Sequence, residues 1–114
     1  MDKQYWYGLI EGEGCFSIQK SYVRRKYLQY TASFRLTLGF FDLKILKKFK
    51  QNIGIGRIYQ QKGKNKFTNV FIISSNQDRQ KLITFFGKNP FLGRKKEDYK
   101  VWKKAHYLIQ KKNK

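Results

Sequence analysis

The chain has 114 residues, 40% of them hydrophobic, with ten Phe and eight Tyr; this suits one folded domain spanning 1–114 with a modest core, not a disordered basic tail. Twenty-six Lys and Arg against seven Asp and Glu give a formal net charge of +19, which points to a polyanionic partner. No run approaches the ~20 apolar residues of a membrane span, no hydrophobic signal core follows Met1-Asp2-Lys3-Gln4, and a lone Cys15 fits a reducing compartment and excludes an intramolecular disulfide.

In chain order, Asp2 is placed to cap a helix over about Lys3–Glu13, closed by Gly14. From Cys15 the period changes to two, with Phe16 and Ile18 alternating with Ser17, Gln19 and Ser21. After the basic bend Val23–Lys26, a second strand runs from Tyr27 to about Leu38. It sets Leu28, Tyr30, Ala32, Phe34, Leu36 and Leu38 on one face and Gln29, Thr31, Ser33, Arg35 and Thr37 on the other, the pattern of a sheet with one buried face. Asp42 is placed to cap a helix to about Asn52, with Leu43, Leu46 and Phe49 spaced for burial, and Gly54 and Gly56 end it.

A third strand, Arg57–Lys62, and a fourth, Phe67–Ser74, flank a hairpin turn at Gly63-Lys64-Asn65-Lys66. Asn76 is placed to cap a helix through Lys88 that carries Leu82, Ile83 and Phe86; Pro90 breaks it, and a last basic helix starts near Lys95. The order is αββαββα plus a C-terminal helix, an α+β arrangement.

The stretch Trp6 to Gly14, W-Y-G-L-I-E-G-E-G, combines two features on the first helix. Gly8 and Gly12, four apart, share one helix face and leave it open to close approach of a second backbone. Glu11 and Glu13 stand at the C-terminal end, where the helix dipole disfavours anions, so an acid there points to another role such as holding a divalent metal. The segment Gly8–Phe16, G-L-I-E-G-E-G-C-F, resembles the signature of the LAGLIDADG homing endonucleases. The pieces I-G-I-G (53–56), F-F-G-K-N-P-F-L (85–92) and R-K-K-E-D-Y-K-V-W (94–102), and the element order itself, extend the resemblance over essentially the whole chain.

The resemblance implies a LAGLIDADG half-domain, an antiparallel sheet with helices on one face. Only one motif is present, and one-motif chains of this family pair through their motif helices, so it implies a homodimer with Gly8 and Gly12 at the interface and a near-palindromic DNA target. Glu13 matches the second motif acid, which binds the catalytic Mg²⁺; Glu11 matches the first, tied to helix-end backbone groups. Lys95 falls where the family has a basic residue near the scissile phosphate. Where the family commonly keeps an amide near the end of the second strand, this chain reads Leu38-Gly39-Phe40-Phe41, and Tyr7 occupies a motif position that is usually small.

The polar strand face, Gln29, Thr31, Ser33, Arg35 and Thr37 joined by Ser17, Gln19 and Ser21, suits a β-ribbon in a major groove. Lys62, Lys64 and Lys66 at one hairpin tip and Arg24, Arg25 and Lys26 at the other suit phosphates. Cys15 and His106 read as packing residues. Two functions stay open at this point. One is a Mg²⁺-dependent homodimeric endonuclease acting on duplex DNA. The other is a catalytically retired RNA-binding protein of the same fold, an intron-splicing maturase or a ribonucleoprotein component on organellar ribosomal RNA. The Lys-rich, Ala-poor composition matches AT-rich codons and suggests an organellar or AT-rich bacterial gene; the expected location is the matrix of a mitochondrion or chloroplast, otherwise the cytoplasm, with no membrane partner.

Overall fold

In a computed structural model of the chain, residues 3–23, 27–39, 42–64 and 67–112 are described, apart from the side chains of Ser21, Val23, Tyr27 and Lys112. The elements are α1 (Lys3–Glu13), β1 (Gly14–Val23), β2 (Tyr27–Gly39), α2 (Leu43–Ile53), β3 (Arg57–Lys62), β4 (Phe67–Ile73), α3 (Asn76–Phe86) and α4 (Arg94–Lys112). The four strands form one antiparallel sheet in the order β1-β2-β4-β3, and helices cover one of its faces. The α+β expectation and its element order hold.

The registers Phe16↔Phe34↔Ile73 and Leu36↔Phe71 carry the inner rows of the sheet. Against them pack Trp6 and Ile10 of α1, Leu46 and Phe49 of α2, Leu82 and Phe86 of α3, and Tyr99 and Trp102 of α4, all buried. Phe16 lies 5.1–5.9 Å, centroid to centroid, from the rings of Phe34, Phe91, Tyr99 and Trp102, so aromatic edges fill much of the space between the layers. Trp102 donates its indole N–H to the Ser33 carbonyl at 2.9 Å, which fixes α4 to β2.

Several local expectations change. Ser75, not Asn76, caps α3: its hydroxyl accepts from the Asp78 amide at 3.1 Å, and Asn76 is the first helical residue. Asp42 precedes α2 without a side-chain cap bond, and Asp2 lies outside the described residues. Helix α3 stops at Phe86, with Gly87 at φ 63°, before Pro90 is reached. Along β2 the burial expected for the apolar face fails at the distal end, where Leu28 is 41% exposed. A 13-residue strand spans about 44 Å, whereas an 11-residue helix spans about 16 Å, so the β1–β2 hairpin outruns most of the helical layer.

Two glycines set the turn into β3. Gly54 closes α2 in the left-handed conformation, φ 79°, and its N–H bonds the Lys50 carbonyl at 2.7 Å. Gly56 has φ 94°, and a Cβ there would lie 2.4 Å from the Phe71 ring.

Candidate nucleic-acid interface and acidic motif end

Helix α1 runs straight into β1, so the motif acids sit where a helix end meets the first strand. At Gly14 a Cβ would stand 2.7 Å from the Ile10 side chain and 2.8 Å from its carbonyl; only glycine fits this junction. Glu11 turns toward α4, its carboxylate accepting from the backbone N–H of Gly93 at 2.7 Å and of Leu92 at 3.2 Å. These amides immediately precede α4, where free N–H groups and the dipole favour an anion. The first motif acid is thus a structural clasp.

Glu13, two residues on, is exposed. Lys95, in the first turn of α4, is half-buried and donates its ammonium to the Gly14 carbonyl, the peptide next to Glu13. The Glu11 clasp and the Lys95 bond together join the end of α1 to the start of α4, and bring Lys95 to the junction that carries Glu13. Among the described residues no cluster of three or more His, Cys, Asp or Glu forms.

The opposite side of α1 is open. Gly8 and Gly12 are exposed, and a Cβ on either would meet nothing within 4 Å. Tight packing inside one chain therefore does not explain them. Tyr7 points the other way, its ring 6.1–6.5 Å from those of Phe85, Phe86 and Phe91 and its hydroxyl donating to the Phe85 carbonyl at 3.4 Å. The large residue in the motif is thus a core residue.

The strand registers assemble the outer sheet face. Ser17 pairs with Ser33, Gln19 with Thr31 and Ser21 with Gln29, while Arg35 and Thr37 continue the row along β2. Gln19, Gln29, Thr31 and Arg35 are exposed, and Ser17, Ser33 and Thr37 are half-buried. The registers Cys15↔Arg35↔Ile72↔Arg57, Thr37↔Val70↔Tyr59 and Gly39↔Thr68↔Gln61 then add the other two strands. Arg57, Tyr59, Gln61 and Thr68 were missed as candidates; the period-two spacing in R-I-Y-Q-Q-K could have found the first three, whereas Thr68 stands in β4, F-T-N-V-F-I-I. Cys15 is a correction: it is exposed on this face, its thiol 3.5 Å from the Ser17 hydroxyl.

Lys62 falls on the helix side of the sheet by register, its ammonium 5.9 Å from the Phe67 ring centre, and Lys64 is exposed at the turn. Arg24, Arg25, Lys26 and Lys66, and the Ser21 side chain, lie outside the described part. In the neighbourhood of residues 38–41, where the family commonly keeps an amide, Leu38 is buried in the core, Gly39 has no side chain, and Phe40 and Phe41 lie outside the described residues.

His106 is fully buried and serves packing in a specific way. Arg79, 3% exposed, donates Nε–H to His106 Nδ1 at 3.0 Å and Nη1–H to the Ala32 carbonyl at 2.9 Å; it also bonds the Ser74 carbonyl and the Asn76 side chain. An accepting Nδ1 puts the imidazole proton on Nε2, which faces Gln80 Oε1 at 3.2 Å. Burial first, and the Arg79 charge second, push the His106 pKa below 6.5.

The model of the LAGLIDADG endonuclease family matches residues 6–106. A probable intron-encoded endonuclease, Cox1-I1b of Schizosaccharomyces pombe, is 31% identical over 110 residues, covering 96% of this chain and 28% of the relative. The chain spans only 19–28% of the length of the curated relatives it matches. Among solved structures, the LAGLIDADG meganuclease I-AabMI bound to uncleaved DNA superposes with a TM-score of 0.85 at 26% identity, covering 99% of this chain and 38% of that one. An archaeal intron-encoded homing endonuclease complexed with DNA gives 0.82 at 27%, covering 94% and 68%. With its half-domain fold, its glycine-and-acid helix end and a family match over nearly its whole length, this chain belongs to the LAGLIDADG endonuclease family.

Proposed function

We propose that the chain is one half of a metal-dependent DNA endonuclease, completed by a second motif helix packed against the Gly8/Gly12 face of α1. The observation that carries this reading is the open glycine face ending at an exposed Glu13. Two helices in contact there would bring two Glu13 carboxylates together beside the outer sheet faces. A second copy of this chain would make the assembly two-fold, and its DNA target near-palindromic.

Each chain contributes one exposed carboxylate at this end, which fits Mg²⁺, an ion that takes one or two carboxylates with phosphate oxygens and keeps several waters. When bound, such an ion supplies a more acidic water and charge neutralisation at the scissile phosphate. The chain's own residues do the rest. The outer face grips the duplex: Arg35 and Arg57 suit guanine edges, and Gln19, Gln29 and Gln61 suit adenine edges. Lys95, held at the Gly14 carbonyl, offers a cation to charge developing on the phosphate. The kinship with fungal relatives named as intron-encoded endonucleases supports an origin in an organellar intron, with the organelle matrix as its site of action.

The test is Glu13→Gln. Strand cleavage in Mg²⁺ should fall at least about a hundredfold, while DNA affinity in Ca²⁺ stays within about twofold. Cleavage equal to that of the unmodified chain would remove Glu13 from the chemistry. No cleavage by either, together with tight RNA binding, would favour the retired RNA binder.

A further inference from the structure

A concave strip of about 1110 Å³ runs between α2 and β3, the edge strand three positions across the sheet from β1 and the Glu13 junction. Lys44, Lys47 and Lys50 line it from the helix, and Ile58, Tyr59 and Gln60 line it from the strand. Helix α2, L-K-I-L-K-K-F-K-Q-N-I, carries four lysines and no acid. On the outer sheet face, by contrast, the described residues supply only two formal cations, Arg35 and Arg57. A duplex lying on that face leaves the cations of α2 without a partner.

We propose that the α2–β3 groove binds a single strand of nucleic acid. A duplex is read by convex elements that enter its grooves, whereas a concave basic channel follows one backbone. Spaced at i, i+3 and i+6, the three lysines climb roughly 9 Å along α2, enough to meet successive stretches of one sugar–phosphate chain. Their ammonium groups are rotatable point charges that place no demand on sequence. Gln60, on the helix side of β3 by its register with Asn69, brings an exposed amide within reach of base edges. The ligand chemistry, a phosphodiester strand with unstacked bases, is common to RNA and to melted DNA. The groove is distinct from the Glu13 end and does not depend on cleavage there.

The experiment measures fluorescence anisotropy of the whole chain with labelled oligouridylate, oligodeoxythymidylate of the same length, and a hairpin duplex DNA. Lys44→Gln/Lys47→Gln/Lys50→Gln should weaken single-strand binding at least about tenfold. It should also lower the salt slope of log K by about 2, since each single-strand phosphate contact contributes about 0.7. Duplex affinity should stay within about twofold. A control that removes the same charge elsewhere, Lys81→Gln/Lys100→Gln/Lys104→Gln, should retain single-strand affinity within about twofold. Tighter binding of the ribo-oligomer would support the groove with RNA as its source, and equal binding would support it with phosphate contacts as the whole of recognition. Equal losses from both triple variants, or an equal loss of duplex and single-strand affinity from the first, would overturn the proposal.

Discussion

Glu11 and Glu13 have the same chemistry and are two positions apart, yet local geometry gives them different work. Two backbone amides at the start of α4 hold the Glu11 carboxylate, and Glu13 is exposed at the end of an open helix face. At the same scale, the Arg79–His106 pair makes a prediction about acid stability. His106 is neutral when buried, with its pKa pushed below 6.5, so under mildly acidic conditions the unfolded chain binds the extra proton. Its contribution is complete above about pH 6.5 and is lost as pH falls below that value toward the folded pKa. Urea midpoints should therefore decline from pH 6.5 to 5, and His106→Gln should flatten that decline; an identical slope in the variant would show that the pair is not responsible. Neither partner was assigned this role from sequence, although Arg79 lies on the core stripe of Leu82, Ile83 and Phe86. Helical spacing gave the position, but a buried guanidinium needs acceptors from β2, α3 and α4, and those come together only in the folded chain.

Among the elements, strands were more legible than caps. Strict alternation in β2 fixes its inner face, because a slip of one residue would turn Phe34 and Leu36 out to solvent. Caps depend on single hydrogen bonds, and two adjacent candidates such as Ser75 and Asn76 have similar capping tendency, so sequence alone did not decide between them. The polar face of β1 and β2 was legible for the same reason as the core; its continuation through β4 to β3 was not, since Val70 and Ile72 of β4 interrupt the polar pattern between them. The α2–β3 turn carries the prediction at this scale. Gly54→Ala meets only the left-handed backbone penalty and should cost about 1 kcal/mol. Gly56→Ala adds a Cβ overlapping the Phe71 ring and should cost at least about 3 kcal/mol. Denaturant midpoints of the two variants compare them directly, and equal losses would contradict the steric account.

For the whole molecule, the question is what covers α1. Most of its length packs inward through Trp6, Tyr7 and Ile10, while Gly8 and Gly12 face open space. Helical glycine costs about 1 kcal/mol relative to alanine, so a lone chain would be more stable with alanine at either position. Gly8→Ala/Gly12→Ala should therefore raise the stability of the isolated chain while weakening its self-association, two effects of opposite sign that a purely structural role for the glycines would not produce. Sequence indicated the ridge from spacing alone; whether it was filled inside the chain depended on where Tyr7 points, which spacing does not fix. The most direct measurement of the central claim is the mass of nucleic-acid-free protein by light scattering, beside that of the double alanine variant. The paired-helix account predicts about twice 13.8 kDa for the unmodified chain and a shift toward monomer for the variant. A clean monomer for the unmodified chain, unchanged when DNA is added, would contradict it.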